Sequence, residues 1–137
     1  MAIEDAALLA AGTGNRRSLI KVLDSIYKKM CKARDKHDRT ESFALDAEFH
    51  RSIVLCSNNK YLLNSYDANI YRMNALLFRF ASTPWDHPER FEEHNAIIDA
   101  LRNNGLQTAR TLLAAHIEHL SEQAFHFEAV PDSSCEK

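Results

Sequence analysis

"LDAEFHRSIV" spans residues 45–54, and its reading decides the fold. The segment has the make-up of an apolar helix, yet it puts Asp46 and His50 four positions apart, beside Phe49 and Ile53. Four residues is just over one helical turn, so the two polar side chains share a face. A carboxylate and an imidazole placed that way suit a surface pair, a helix-stabilising contact or half of a metal site. What the rest of the chain aims at the same place decides among them.

Outward from this segment, helical periodicity dominates. "RRSLIKVLDSIYKKMCKARD" (16–35) carries Leu19, Val22, Ile26 and Met30 at steps of 3 and 4. The polar stretch "KHDRTES" (36–42) reads as a loop, with Thr40 or Ser42 as N-cap of the following helix. After the turn "SNNK" (57–60), "YLLNSYDANIYRMNALLFRF" (61–80) reads as a long helix with Leu62, Ile70, Leu77 and Phe80 among its apolar positions. "ASTPWDHPER" (81–90) holds two of the three prolines and is the clearest connection. Pro88 suits a first helical turn, where its missing N–H costs nothing. "ERFEEHNAIIDALRNN" (89–104) follows and ends at Gly105. "LQTARTLLAAHIEHLSEQAFHF" (106–127) is the last helix, and "VPDSSCEK" (130–137) reads as a flexible tail. At the other end, "IEDAALLAAG" (3–12) looks like the tail of an amphipathic helix with no N-cap ahead of it, broken by "GTGN" (12–15). Six helices with short links predict an all-α, antiparallel helical bundle.

Composition agrees. A chain of 137 residues suits one domain with one core. Three Gly and three Pro leave little material for the tight turns of a strand-rich fold. A net charge of −2 lacks the basic excess of a stand-alone nucleic-acid binder. No apolar run is long enough for a membrane span, and no cleavable leader is evident. Cys31, Cys56 and Cys135 form neither a disulfide framework nor a thiolate metal motif, which fits a reducing cytoplasm.

The histidines sharpen the question about Asp46. Phe91, His94, Ile98 and Leu101 step by 3, 4 and 3, so His94 lies within an apolar stripe. Ala109, Leu113, His116, Leu120 and Phe127 place His116 the same way, and Phe43, Asp46, His50 and Ile53 do so on the third helix. Three helices thus each aim an imidazole inward. Periodicity leaves two outcomes open. Each histidine is a core residue hydrogen-bonded to a neighbour, or the three faces meet and build a metal site from side chains on facing helices. Burying Asp46 alone would cost several kcal/mol, which gives a cation its reason to be there.

"LDAEFHRSIVLCSNNKYLL", then "EEHNAIIDAL", then "TARTLLAAHIEHL" resembles the C-terminal effector-binding (FCD) domain of the FadR subfamily of GntR transcription regulators. The order runs Asp-x-x-x-His, an Asn pair before a new helix, Glu-His-x-x-Ile, then Ala-Arg…His-Leu, and covers roughly residues 2–127. The resemblance implies a helical bundle enclosing a pocket, here over residues 1–129. It implies a divalent ion held by Asp46, His50, His94 and His116. Three imidazoles and a carboxylate suit Zn²⁺ foremost, with Ni²⁺, Mn²⁺ or Fe²⁺ as alternatives, and argue against Ca²⁺ or Mg²⁺. It also implies a small organic acid as effector. Arg72, Arg79 and Asn69 on the fourth helix are the side chains expected to clamp it. A homodimer is expected, in the cytoplasm, with no membrane and with DNA contacted only through a winged helix-turn-helix domain. No such domain precedes residue 1, and the first sensor helix reads as truncated. Leu106 stands where the family often has Asp, which touches only a helix cap.

His119 is a candidate to support His116 or simply to face water, as His37, His87 and His126 are expected to do. Asn59 reads as a helix cap. Two other functions compete with the sensor. A metal-dependent hydrolase would need a general base, and Glu48 and Glu93 sit at offsets that point them away from the neighbouring ligands. A helical dimerisation module would use the histidines as core residues without metal.

Overall fold

A computed structural model describes residues 2–79 and 88–128 of the chain. Six α-helices run in order: α1 Ala2–Ala11, α2 Arg16–Asp35, α3 Arg39–Leu55, α4 Lys60–Arg79, α5 Pro88–Asp99 and α6 Leu106–Glu128. No strand occurs among the described residues. The fold is the expected antiparallel helical bundle. Among the described residues no helix is long and apolar enough to cross a membrane.

The core forms where apolar stripes meet. α2 packs on α3, α5 on α6, and α1 leans on α3, α4 and α6. Leu8, Leu19, Leu23, Ile26, Met30, Phe49, Ile53, Ile97, Ile98, Leu101 and Leu113 are all buried in one cluster. On α2 the buried stripe is Leu19, Leu23, Ile26, Met30 and Ala33. Val22, expected to face inward, is instead 46% exposed. Val22 and Leu23 flank the same boundary of the stripe, and the longer side chain takes the interior place.

The helix ends follow local chemistry. α1 stops at Gly12, whose φ of 56° lies in the left-handed region that glycine tolerates. α3 begins earlier than expected. Its cap is Asp38, not Thr40 or Ser42: the Asp38 carboxylate accepts a hydrogen bond from Glu41 N at 3.0 Å. Ser42 uses its hydroxyl to donate to the Asp38 carbonyl at 2.8 Å. Asn59 caps α4, its Oδ1 accepting from the Tyr61 and Leu62 amides at 2.9 and 3.3 Å.

An irregular segment joins α5 to α6. Residues Ala100–Asn104 form a single π-helical turn. The Gly105 N–H reaches back five residues to the Ala100 carbonyl at 2.8 Å. Gly105 has φ 92° and ψ −179°, a conformation open to glycine alone at no steric cost. Ala100 and Leu101 stay in the core while Arg102 pairs with Asp24 of α2 and with Asp99.

Candidate metal centre

α3 contributes Asp46 and His50, α5 His94 and α6 His116. The inward stripes of these three helices bring the four side chains together. One ligand atom from each lies within 4.8 Å of every other. His50, His94 and His116 are 8%, 2% and 2% exposed, so the three imidazoles are almost entirely out of water, while Asp46 is only partly buried. Phe49 walls one side, its ring edge-on to His94 at 4.7 Å between centroids. The His50 and His116 rings are nearly parallel, 9° apart in plane.

Which ring nitrogen faces the centre is fixed from outside. His94 Nδ1 donates to the Arg90 carbonyl at 2.6 Å, an interaction that only an N–H can make. His50 Nδ1 donates to Glu4 Oε1 at 2.5 Å, and His116 Nδ1 to Glu93 Oε2 at 2.6 Å. Each imidazole therefore spends its Nδ1 proton outward, and in the neutral form turns a bare Nε2 lone pair inward. This is how metal-ligating histidines are oriented by their outer partners.

The inward atoms behave as ligands in want of a cation. His94 Nε2 is buried without a hydrogen-bond partner, although Asp46 Oδ1 lies 3.0 Å away. His50 Nε2 and His116 Nε2 face each other at 3.2 Å. Two atoms each bound to one ion at about 2.1 Å stand about 3.0–3.4 Å apart, between octahedral and tetrahedral edges. Both pairs fall in that range, so the residues fit a transition-metal ion.

The charges point the same way. Burial pushes the Asp46 carboxyl up, but contact with His94 and the charges of His50, His94 and Arg90 outweigh it and hold it well below the usual carboxylate range. Burial pushes His50 down, yet Glu4 and Asp46 raise it overall. Burial, with His94 and His50 close by, lowers His116 to about 4. For Glu93, burial is outweighed by the hydrogen bonds of His116 and His119, and its carboxyl is lowered.

Residues 1–119 match the FCD domain family. The chain belongs to that family. FCD domains are the ligand-sensing regulatory domains of GntR-type regulators, a regulatory rather than an enzymatic family. The fold is similar to that of E. coli McbR/YncC, with a TM-score of 0.83 at 19% sequence identity. The likeness covers 93% of this chain and 61% of that one, so the chain spans under two thirds of its structural neighbour. No curated protein matches the chain at a significant level.

Of the three fourth-helix candidates, the side chains of two are described. Arg72 and Asn69 are exposed on α4, and the Asn69 amide donates to the Ser65 carbonyl at 2.8 Å. The Arg79 side chain lies outside the described residues, as do those of His87 and His126. The basic group beside the cluster is Arg90, its Nη2 3.9 Å from Asp46 Oδ1 and its side chain 12% exposed. Arg90 is four residues before His94, which is a same-face spacing visible in the sequence. Glu93 also has a place that its offset hid. It points away from His94, but towards α6, where it joins His116 to the exposed His119 at 2.8 Å. Glu4 lies on the stripe of α1 with Ala7 and Leu8, and a carboxylate among buried apolar residues was its sign.

Proposed function

We propose that this chain is the effector-sensing domain of a transcription regulator. It would hold one divalent transition-metal ion through Asp46, His50, His94 and His116, and bind a small organic acid beside it. The carrying observation is the outward commitment of all three Nδ1 atoms, which leaves three Nε2 atoms and an Asp46 oxygen gathered in a buried space. A nitrogen-rich set with one carboxylate and no thiolate favours Zn²⁺, then Ni²⁺, Mn²⁺ or Fe²⁺. A bound ion would supply Lewis acidity towards an acid placed beside these side chains.

The chain's own residues do the rest. Glu4, Glu93 and the Arg90 carbonyl hold the imidazoles in register. The Arg90 guanidinium, beside Asp46, is the side chain set to receive an effector carboxylate by charge-assisted hydrogen bonds. Arg72, Arg79 and Asn69 are the candidates that α4 adds. An acid that prefers one arrangement of the bundle shifts the population towards it. A homodimer in the cytoplasm would relay that shift to DNA through an N-terminal reader domain.

Elemental analysis of the purified protein, followed by a thermal-shift screen of small mono-, di- and hydroxycarboxylic acids, tests the reading. About one equivalent of transition metal is expected, with acid-dependent stabilisation that chelator abolishes. A protein that takes up no Zn²⁺, Ni²⁺, Mn²⁺ or Fe²⁺ after dialysis against each would overturn it.

A further inference from the structure

Resting on the metal-site reading above, we infer that Glu4 couples the metal centre to helix α1, so that metal binding fastens α1 to the bundle and α1 docking tightens metal binding. A helix takes most of its stability in a protein from tertiary packing, and α1 packs on α3, α4 and α6. Its order depends on what holds it down. Ala7 and Leu8 are buried and supply an apolar contact. Two polar clamps add to it. Asp5 takes a two-pronged grip from Arg110 of α6, with Nε–Oδ1 at 2.6 Å and Nη2–Oδ2 at 2.9 Å. Glu4, only 5% exposed, accepts the Nδ1 proton of His50 at 2.5 Å.

The two clamps differ in what they answer to. The Arg110–Asp5 pair involves no member of the metal cluster. The Glu4 bond ends on an imidazole whose other nitrogen faces the centre, 3.2 Å from His116 Nε2. When His50 Nε2 gives its lone pair to a cation, charge is drawn from the ring and Nδ1–H becomes a stronger donor to Glu4. The Glu4 carboxylate in turn makes Nε2 more basic towards the cation. Glu4 is thus a positioning residue that acts through His50. Coupling of this kind is reciprocal: the factor by which α1 docking tightens the metal equals the factor by which the metal tightens docking. α1 is also the helix on the side where a reader domain would join, which makes its docking a natural output for the sensor.

The test uses the whole chain, stripped with chelator, with Zn²⁺ as the probe. Amide hydrogen exchange of α1 peptides is followed with and without saturating Zn²⁺, and Zn²⁺ affinity is measured by competition with a chromophoric chelator. In the wild type, Zn²⁺ should slow α1 exchange by about 10- to 100-fold, the range typical of outer partners of ligating histidines. In Glu4→Gln, Zn²⁺ should bind more weakly by a matching factor, and the slowing of α1 by Zn²⁺ should disappear. In Asp5→Asn, α1 should exchange faster throughout while the Zn²⁺-induced factor survives, a separation that a general loss of docking would not give. Should Glu4→Gln fail to fold, the wild type and Asp5→Asn decide the matter by themselves. Zn²⁺ bound with α1 exchange unchanged would overturn this coupling and leave the metal site standing. No Zn²⁺ bound to the wild type would overturn both.

Discussion

Replacing His94 by alanine isolates the contribution of the metal to stability. His94 is 2% exposed and presents an unpartnered Nε2 to the cluster, so His94→Ala removes one of the four proposed ligands and opens no surface site in exchange. A ligand that binds only the folded state at 100 times its Kd stabilises by about 2.7 kcal/mol. Unfolding entropy near 60 °C is about 2.1 cal/mol/K per residue, or roughly 0.3 kcal/mol/K for a chain of this length. The wild type should therefore melt about 9 °C higher with Zn²⁺ at that excess than after chelation. Loss of a ligand should weaken binding by at least about 100-fold, the upper end seen for outer partners alone. At the same Zn²⁺ concentration the variant keeps about 0.4 kcal/mol of stabilisation, a shift of roughly 1.5 °C. Each protein is compared with its own chelated form by circular-dichroism melting, so the cost of the cavity cancels. Equal Zn²⁺-induced shifts in wild type and His94→Ala would show that the ion sits elsewhere and refute the reasoning.

Three further outcomes follow from single contacts. Glu93→Gln should weaken Zn²⁺ binding about 10- to 100-fold in chelator competition, whereas His119→Ala, at an exposed ring that bonds the other oxygen of Glu93, should change it by less than about threefold. Burial pushes the Cys56 thiol up to about 11, and its Sγ–H donates to the Ile53 carbonyl at 2.9 Å. Since the thiolate is the reactive form, iodoacetamide should label native Cys56 about two orders of magnitude more slowly at pH 8 than the urea-unfolded chain. The native rate should keep climbing towards pH 11 after the unfolded rate has levelled off, and coincident pH profiles would contradict this. Asp38→Ala should cost about 0.5–2 kcal/mol in urea denaturation with Zn²⁺ affinity unchanged, because it removes only the cap of α3.

Much of the clustering of these four side chains could be read along the chain because it is local to each helix. Asp46 and His50 share a face by spacing, and His94 and His116 interrupt apolar stripes whose inward direction is unambiguous. The outer partners were harder. Glu93 is adjacent to His94, and its use depends on how α5 faces α6, which no single-helix pattern encodes. Glu4 could be noticed as a charge on an apolar stripe, but its partner lies 46 residues away on α3. Val22 and Leu23 illustrate a smaller limit: at the edge of a stripe, periodicity leaves two candidates and packing volume chooses. Asp38 took the cap two residues earlier than Thr40, its carboxylate accepting the backbone N–H three residues on. The π turn at Ala100–Asn104 had no marker beyond the glycine after it.

That π turn has a consequence for comparing this chain with its relatives. A π turn is an α-helix carrying one surplus residue, and this one lies between His94 and His116. It packs on α2, α5 and α6, the last two being the helices that carry those imidazoles. A homologue with one residue fewer between the two histidines has not merely shortened a connector. It has altered a packed joint, so a metal site should not be inherited across such a gap on residue identity alone.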